Sequence, residues 1–301
     1  MKILITGSNG LLGQKLVKLL IENGEEVIAT AHSENRINYL DSKFSFSQMD
    51  ITNEQQVTEV IELMKPDVVI NTAAMTNVDQ CETDKELCRK LNVDAVQYLA
   101  QACKTNNAFL VHLSTDFIFD GESGPYKEEG EPNPLSYYGE SKLDAEKILK
   151  ESEVKWAIAR TVLVYGITPG MSRSNIILWV KESLENGKQL KIVDDQWRTP
   201  TLAEDLAMGC YLIAKKRPTG VFNISGKDMM TPFDMAMETC DYFNLDKSLI
   251  TKVDGSMFSQ AAKRPAKTGF VLDKARSVLD YEPKSFSEGI RILDEQVKAM
   301  N

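Results

Sequence analysis

The chain opens on an apolar run over residues 2–6 that ends in a glycine-rich turn, after which Leu11, Leu12, Leu16, Leu19 and Leu20 recur at helical spacing. This pattern predicts a strand, a turn and a helix over 11–22. Similar alternation continues downstream. Strands are expected at 26–31, 44–49, 67–71, 109–113 and 155–161, separated by helices near 53–64, 84–105 and 137–151. Thr52, ahead of Glu54 and Gln55, and Thr201, three residues before Glu204, read as helix caps. After Tyr165 the rhythm breaks. Segments 166–200 and 226–285 look irregular and carry Pro169, Pro200, Pro232, Pro265 and Pro283, whereas 201–215 reads as a helix and 220–224 as a strand.

Strands alternating with helices imply right-handed βαβ crossovers and a parallel sheet, with ligands beyond the carboxyl ends of the strands. The expected fold is α/β, a Rossmann-type doubly wound parallel sheet with a smaller discontinuous substrate-binding lobe. Residues 1–165 plus 201–225 would form the dinucleotide-binding domain, and 166–200 plus 226–301 the lobe. The first turn supports this. In Gly7-Ser-Asn9-Gly10-Leu11-Leu12-Gly13, glycine permits a tight turn, lets backbone N–H groups approach a pyrophosphate and lets helix and strand pack closely. The helix N-terminus behind it favours phosphate charge. A simple glycine-rich turn is the bland alternative, and the flanking strand and helix weigh against it.

The second strand reads Val27-Ile-Ala-Thr-Ala31-His32-Ser33 and lacks the acidic residue that would bind the ribose 2′-hydroxyl of NAD. Its absence removes repulsion against a 2′-phosphate. The expected cofactor is NADPH or NADH, the balance lying toward NADPH, with Ser33 and Arg36 as contacts; for Arg36 a solvated surface charge is the alternative. With 301 residues, 43% of them hydrophobic, the chain can bury a sizeable core, and its net charge of −9 argues against general nucleic-acid binding. Cys81, Cys88, Cys103, Cys210 and Cys240 form no Cys-x-x-Cys pair and read as reduced, partly buried thiols, which points to the cytoplasm. No basic leader with a cleavable apolar segment and no membrane-spanning run is seen. His32 and His112 stand apart without a cysteine or carboxylate cluster, so no metal is expected, and His112 reads as a satisfied core residue.

Chemistry enters at Tyr138 and Lys142. Four residues apart on one helix, they project from one face and can meet the same ligand. A lysine ammonium beside a phenol would lower the tyrosine pKa and make it a better proton donor or acceptor near neutrality. The spacing alone is common on solvated helices. Ser114-Thr115-Asp116 adds weight, because it follows the run 109–113 and puts hydroxyls at a strand's carboxyl end; a strand-end cap is the plainer reading of these hydroxyls. Tyr137 is the competing phenol, with poorer helical spacing to Lys142.

Taken in order, Thr6-Gly7-x-x-Gly10-x-x-Gly13, Asn71-Thr-Ala73-Ala74, Ser114-Thr115-Asp116 and Tyr138-x-x-x-Lys142 resemble the extended short-chain dehydrogenases/reductases over nearly the whole chain. Within that group, Ser114-Thr-Asp-Phe-Ile-Phe-Asp-Gly121, Tyr138-Gly-Glu-Ser-Lys142, Asp195-Gln-x-x-x-Pro200-Thr201 and Arg264-Pro265 are most similar to the dTDP-4-dehydrorhamnose reductase family. The resemblance implies that Tyr138 protonates a 4-keto oxygen as nicotinamide hydride attacks the carbon. Lys142 would bind the nicotinamide ribose and tune Tyr138, and Thr115 would hydrogen-bond the reacting oxygen. It also implies cofactor contacts at Asp50, Ile51, Ala73 and Ala74, for the last two of which close packing is the plain alternative. Substrate contacts are expected at Thr76, Val78, Asp116, Phe117, Asn175, Arg198 and Arg264, with Lys267 a further cation for a nucleotide diphosphate and a helix cap the alternative for Asn175.

Departures narrow the chemistry. Phe117 stands where related sugar dehydratases carry a glutamate, which disfavours dehydration, and no histidine is placed to serve an epimerising reductase. Leu163 replaces a tryptophan often found in the reductases, and Arg264-Pro265-Ala-Lys267-Thr268 departs from their Arg-Pro-x-Asn-Ser, which leaves the sugar open. Another nucleotide-sugar ketoreductase is one alternative. A non-catalytic cofactor-binding regulator resembling the β subunit of methionine adenosyltransferase is another. The expected partner is a nucleotide-sugar substrate, with neither nucleic acid nor membrane, and a homodimer is left open.

Overall fold

The structure is a computed structural model that describes residues 1–37, 41–171, 175–258 and 260–300. It begins with β1 (Lys2–Thr6), α1 (Leu11–Glu22), β2 (Glu26–Ala31), β3 (Phe44–Gln48), α2 (Glu54–Met64) and β4 (Val68–Asn71). Next come α3 (Val78–Thr83), α4 (Lys85–Arg89), a π-helical turn at Lys90–Asp94, α5 (Ala95–Thr105), β5 (Phe109–Thr115), α6 (Tyr137–Glu151) and β6 (Trp156–Thr161). The remainder holds β7 (Val164–Tyr165), α7 (Ile176–Glu185), β8 (Leu190–Val193), β9 (Thr201–Leu202), α8 (Ala203–Lys216), β10 (Gly220–Asn223), α9 (Pro232–Phe243), β11 (Ile250–Val253) and α10 (Phe286–Met300).

Seven strands form one parallel sheet in the order β3-β2-β1-β4-β5-β6-β10. Its central strands are buried on both faces, which is why they read as continuous apolar runs rather than alternating ones. Ile3 and Ile5 pack with Leu16 and Leu20 of α1 and Leu206 and Cys210 of α8 on one face, while Leu4 and Val69 pack with Ile61 of α2, Leu99 of α5 and Leu149 of α6 on the other. The chain reverses direction across the sheet between β1 and β4. A crevice opens beyond the carboxyl ends of the strands at such a switch point.

The expectation that 166–200 and 226–285 are irregular is overturned, because α7, β8, α9 and β11 lie there. α7 and α9 bury Val180, Leu184, Ala236 and Cys240 against Leu190 and Ile192 of β8, and α10 closes a second cluster of Tyr165, Met235, Phe286 and Ile290. Pro232 sits at the first turn of α9, where its missing N–H costs nothing, and Thr231 and Asp234 form a reciprocal capping box before it. Both helix caps read at Thr52 and Thr201 are corrected. Asn53 caps α2 by accepting from Gln56 N–H, while α8 starts without a side-chain cap and the Thr201 hydroxyl donates to Val162 O (2.6 Å). The helix expected over 84–105 is interrupted by the π turn. Among the described residues no helix is long and apolar enough to cross a membrane.

Candidate active site

Gly7 at the end of β1 takes φ +66°, and a Cβ there would stand 3.0 Å from the Ala73 backbone beyond β4. A Cβ on Gly13 would meet Gly7 O at 2.4 Å, so α1 can approach β1 only with glycine at that position. Whereas α2, α3, α4, α6, α7 and α9 each begin with a side-chain cap, α1 begins at Gly10 with none and carries no acidic residue in its first turn. Its first amides, including those of Leu11 and Leu12, are therefore left to a ligand or water. The Leu12 side chain itself packs into the core.

A cavity of about 500 Å³ lies over this turn, lined by Gly7, Asn9 and Gly10 after β1, His32 after β2, Asp50 and Ile51 after β3, and Ala73 and Ala74 after β4. A second, of about 690 Å³, shares Asn9 and Gly10 and runs past Leu11, Ser33, Arg36, Thr76, Leu163 and Asn175. The unfilled helix start and the adjoining cavities fit a dinucleotide. Asn9 organises the rim. Its Nδ2 donates to Ser33 Oγ (3.1 Å) and Glu34 O (2.9 Å), and its Oδ1 accepts from Arg36 N–H (3.0 Å). Asp50 accepts from the Thr52 N–H and hydroxyl (both 2.8 Å), so its carboxylate is oriented at the cavity wall.

β5 runs two residues beyond the expected strand and carries Ser114 and Thr115 at its end. These hydroxyls divide their work. Ser114 Oγ donates to Glu146 Oε1 (2.7 Å) of α6, whereas the Thr115 hydroxyl lies on the side of the Tyr138 phenol and lowers its pKa. Thr115 Oγ1 also donates to Asp116 Oδ1 (3.1 Å) and accepts from Phe117 N–H (3.2 Å), which fixes its rotamer. Tyr138 is 9% exposed, packed among Met75, Cys81, Cys88 and Val78 with the Phe117 ring edge-on at 5.8 Å. Tyr137 turns elsewhere, its ring under Lys85 Nζ and its N–H on Glu82.

The expected effect of Lys142 on the tyrosine is not found. Burial raises the Tyr138 phenol well above its ordinary value, only partly offset by Thr115, so the group stays protonated and suits a proton donor. Lys142, 3% exposed, places Nζ 3.2 Å from His112 Nε2, and burial pushes its ammonium down to about 8 while Glu146 opposes that change. His112 is thus tied to a site residue. Its position was readable, because β5 alternation puts His112 and Ser114 on the face that α6 covers, but a single histidine carries no motif.

Of the expected substrate residues, two line the larger cavity, and Asp116, Arg198 and Arg264 are held within the protein. Thr76 and Leu163 line the larger cavity, and Leu163 holds φ +35°, a left-handed backbone costly for a branched side chain. Asn175 also lines it while capping α7, accepting from Leu178 N–H (3.1 Å) and donating to Gly166 O (2.8 Å). Asp116 is buried, which raises its carboxyl, and its partners are Arg198 at 3.7 Å, Thr115 and the Thr268 hydroxyl. Arg198 is buried as well. Its donors go to Pro265 O (2.6 Å) and Trp197 O (2.8 Å), so the guanidinium is committed within the protein, holding the loop that follows Arg264. Arg264 forms a fork on Asp79 (2.7 and 3.3 Å) and joins that loop to α3, whereas Lys267 is exposed. Sequence reasoning also missed Asn92 in the π turn. Its amide bonds both Met75 N–H (2.8 Å) and Met75 O (3.1 Å) and reaches Ser141 Oγ (3.0 Å), locking the segment after Ala74 to the helix that carries Tyr138.

Residues 1–298 match the family model described as RmlD substrate binding domain. The chain is 32% identical to the dTDP-4-dehydrorhamnose reductase of Aggregatibacter actinomycetemcomitans, covering 96% of this chain and 97% of that one. It is also 32% identical to methionine adenosyltransferase 2 subunit beta of Bos taurus, over 85% of this chain and 76% of the relative. Among solved structures, a dTDP-4-dehydrorhamnose reductase from Clostridium acetobutylicum superposes with a TM-score of 0.85 at 30% identity, covering 99% of this chain and 100% of the other. The Bacillus anthracis enzyme in complex with NADP gives 0.84 at 26% identity, over 98% and 99%. The chain belongs to the RmlD substrate-binding domain family, within the extended short-chain dehydrogenases/reductases.

Proposed function

We propose that this protein reduces the 4-keto group of a nucleotide-linked deoxysugar with NADPH, converting dTDP-4-dehydro-L-rhamnose to dTDP-L-rhamnose. The observation that carries this reading is the buried, protonated Tyr138 phenol of α6 with Thr115 at the end of β5, in a fold whose uncapped helix start and adjoining cavities fit a dinucleotide. When bound, the reduced nicotinamide supplies hydride to the carbonyl carbon. Tyr138 delivers its phenolic proton to the carbonyl oxygen, and Thr115, held in place by the Phe117 N–H, turns its hydroxyl proton from Asp116 to the developing alkoxide. Lys142 holds the nicotinamide ribose. The uncapped turn Gly10 to Gly13 receives the pyrophosphate, and Ser33 and Arg36 receive a 2′-phosphate. Asp50, Ile51, Ala73 and Ala74 enclose the adenosine half.

On the sugar-nucleotide side Thr76, Leu163 and Asn175 line the open cavity, and Val78, Asp116, Phe117, Arg198 and Arg264 form its support, with Asn175, Arg198 and Arg264 coming from the lobe of 166–200 and 226–301. Reduced cysteines favour the cytoplasm as its setting. The similarity to methionine adenosyltransferase 2 subunit beta favours a second reading, a cofactor-binding regulatory subunit. Incubation of the purified protein with NADPH and dTDP-4-dehydro-L-rhamnose separates the two. Loss of nicotinamide absorbance with formation of dTDP-L-rhamnose supports the reductase, whereas cofactor binding without turnover of any dTDP- or other nucleotide-linked 4-keto sugar supports the regulator.

A further inference from the structure

His112 is 1% exposed and lies between two polar side chains. Its Nε2 faces Lys142 Nζ at 3.2 Å, and its Nδ1 faces the Asn71 amide at 3.1 Å. The row continues, because the other end of that amide meets Thr6 Oγ1 at 2.6 Å and Thr6 Oγ1 accepts from Ala73 N–H (3.3 Å). A line of side chains thus runs from the catalytic helix across β5, β4 and β1 to the backbone under the cofactor crevice. We propose that His112 is a positioning residue for the reduction, an uncharged imidazole that keeps a hydrogen-bond partner on Lys142 in both of the lysine's protonation states and so holds it for the cofactor ribose; this rests on the reading above.

An ammonium only donates, so it needs an unprotonated Nε2, which leaves the imidazole proton on Nδ1 facing an amide that can offer oxygen. A neutral amine accepts, and the imidazole serves it by carrying its proton on Nε2 while the amide offers NH2 to Nδ1. No apolar residue can do both. A carboxylate could pair with the ammonium but would hold it too firmly to leave for a ribose hydroxyl. Imidazolium would repel it. Burial and the Lys142 charge both hold the His112 pKa well below the ordinary histidine range, so the ring stays neutral wherever the lysine titrates. The other titratable groups acting on Lys142 are Glu146 one turn along α6, which is itself paired with Arg160, and Cys88 and Cys81 from α4 and α3. Tyr138 lies on the same helical face, where burial keeps its phenol protonated.

Two measurements test this without the sugar substrate. The chain has two histidines, so 15N-histidine labelling gives two imidazoles, and His32→Asn identifies the remaining one as His112. In the cofactor-free protein the His112 nitrogen shifts are expected to remain those of a neutral ring while exchanging tautomer with a midpoint near pH 8, the value to which burial lowers Lys142. Shifts that do not change between pH 6 and 10, or that report an imidazolium near neutrality, would overturn the proposal. NADPH affinity against pH is the second. For His112→Leu the affinity is expected to fall about fivefold or more at pH 7.5, with the alkaline loss beginning about one pH unit lower than in the parent protein, because the charged lysine has lost its acceptor. His112→Gln, whose amide offers oxygen or NH2, should stay within about twofold. A His112→Leu profile that overlays the parent, or equal losses in both variants, would refute it. A failure of sugar reduction alongside these pH effects would count against the functional reading and leave the role of His112 standing.

Discussion

Glu146 is fully buried on α6, one turn beyond Lys142, and is gripped by Arg160 through Nε (2.8 Å) and Nη2 (2.7 Å) while accepting from Ser114 (2.7 Å). Replacing it by Gln keeps the shape and removes the charge, leaving a guanidinium that is 1% exposed without its counter-ion. Breaking a buried pair in this way costs about 3–5 kcal/mol. The lower end applies, because Arg160 retains Glu128 O (2.9 Å) and the Phe119 ring (5.4 Å). For a chain of 301 residues about 3 kcal/mol corresponds to a fall in Tm of roughly 5 °C. Lys150 adds little, since it is 40% exposed. The pH dependence carries a definite sign. Burial alone would raise the Glu146 carboxyl, but Arg160 and Ser114 hold it below the ordinary 4.5. A carboxylate with a depressed folded-state pKa contributes stability above that ordinary value, and the contribution is lost as pH falls through the folded-state value. Thermal melts from pH 7 down to 3.5 should therefore show the gap between parent and Glu146→Gln narrowing below about pH 4.5. A variant melting within about 2 °C of the parent at pH 7, or a gap unchanged down to pH 3.5, would refute the reasoning. The double replacement Glu146→Leu with Arg160→Met removes both charges and should recover most of the loss.

Tyr138→Phe should lower kcat by roughly 10² or more with NADPH affinity nearly intact, measured by steady-state turnover and fluorescence titration; unchanged turnover would contradict its role as acid. Gly13→Ala forces a Cβ against Gly7 O, and a loss of NADPH affinity of about tenfold or more, with a lower Tm, is expected by titration and melting. Arg36→Ala should weaken NADPH about tenfold while leaving NADH within about twofold, read as paired Kd values; equal effects on both would place the 2′-phosphate elsewhere.

The sheet was legible because parallel strands buried on both faces are apolar throughout, and β1, β2, α1 and α6 match the expected spans residue for residue. Three features hid the rest. The helices α7 and α9 bury their apolar residues against partners distant in sequence, and a proline such as Pro232 reads as a break although it begins a helix. The π turn shifts the helical period around Asn92, which erases the signal of the residue it serves to aim. Tyr138 and Lys142 could be paired from spacing alone, but spacing says nothing of dielectric. The proximity argument therefore lowered the phenol pKa where burial raises it. Arg198 shows the same limit. A cation in a loop suggests a phosphate, and only its depth reveals that backbone carbonyls already fill its fork.

The tethering of the rim by Asn9 bears on how this protein could be re-engineered. Residues 33–36 look like an exchangeable cassette for switching between the two nicotinamide dinucleotides, yet three hydrogen bonds from one side chain in the phosphate turn hold that cassette in place. A graft that alters the cassette's backbone path disturbs Asn9, and through Asn9 O the Gln14 amide (2.9 Å), which also reaches Pro169 O (3.2 Å). Swapping coenzyme preference is consequently a redesign of at least positions 9, 14 and 33–36 together, and libraries that vary the cassette alone should return weak binders of both dinucleotides rather than a clean reversal.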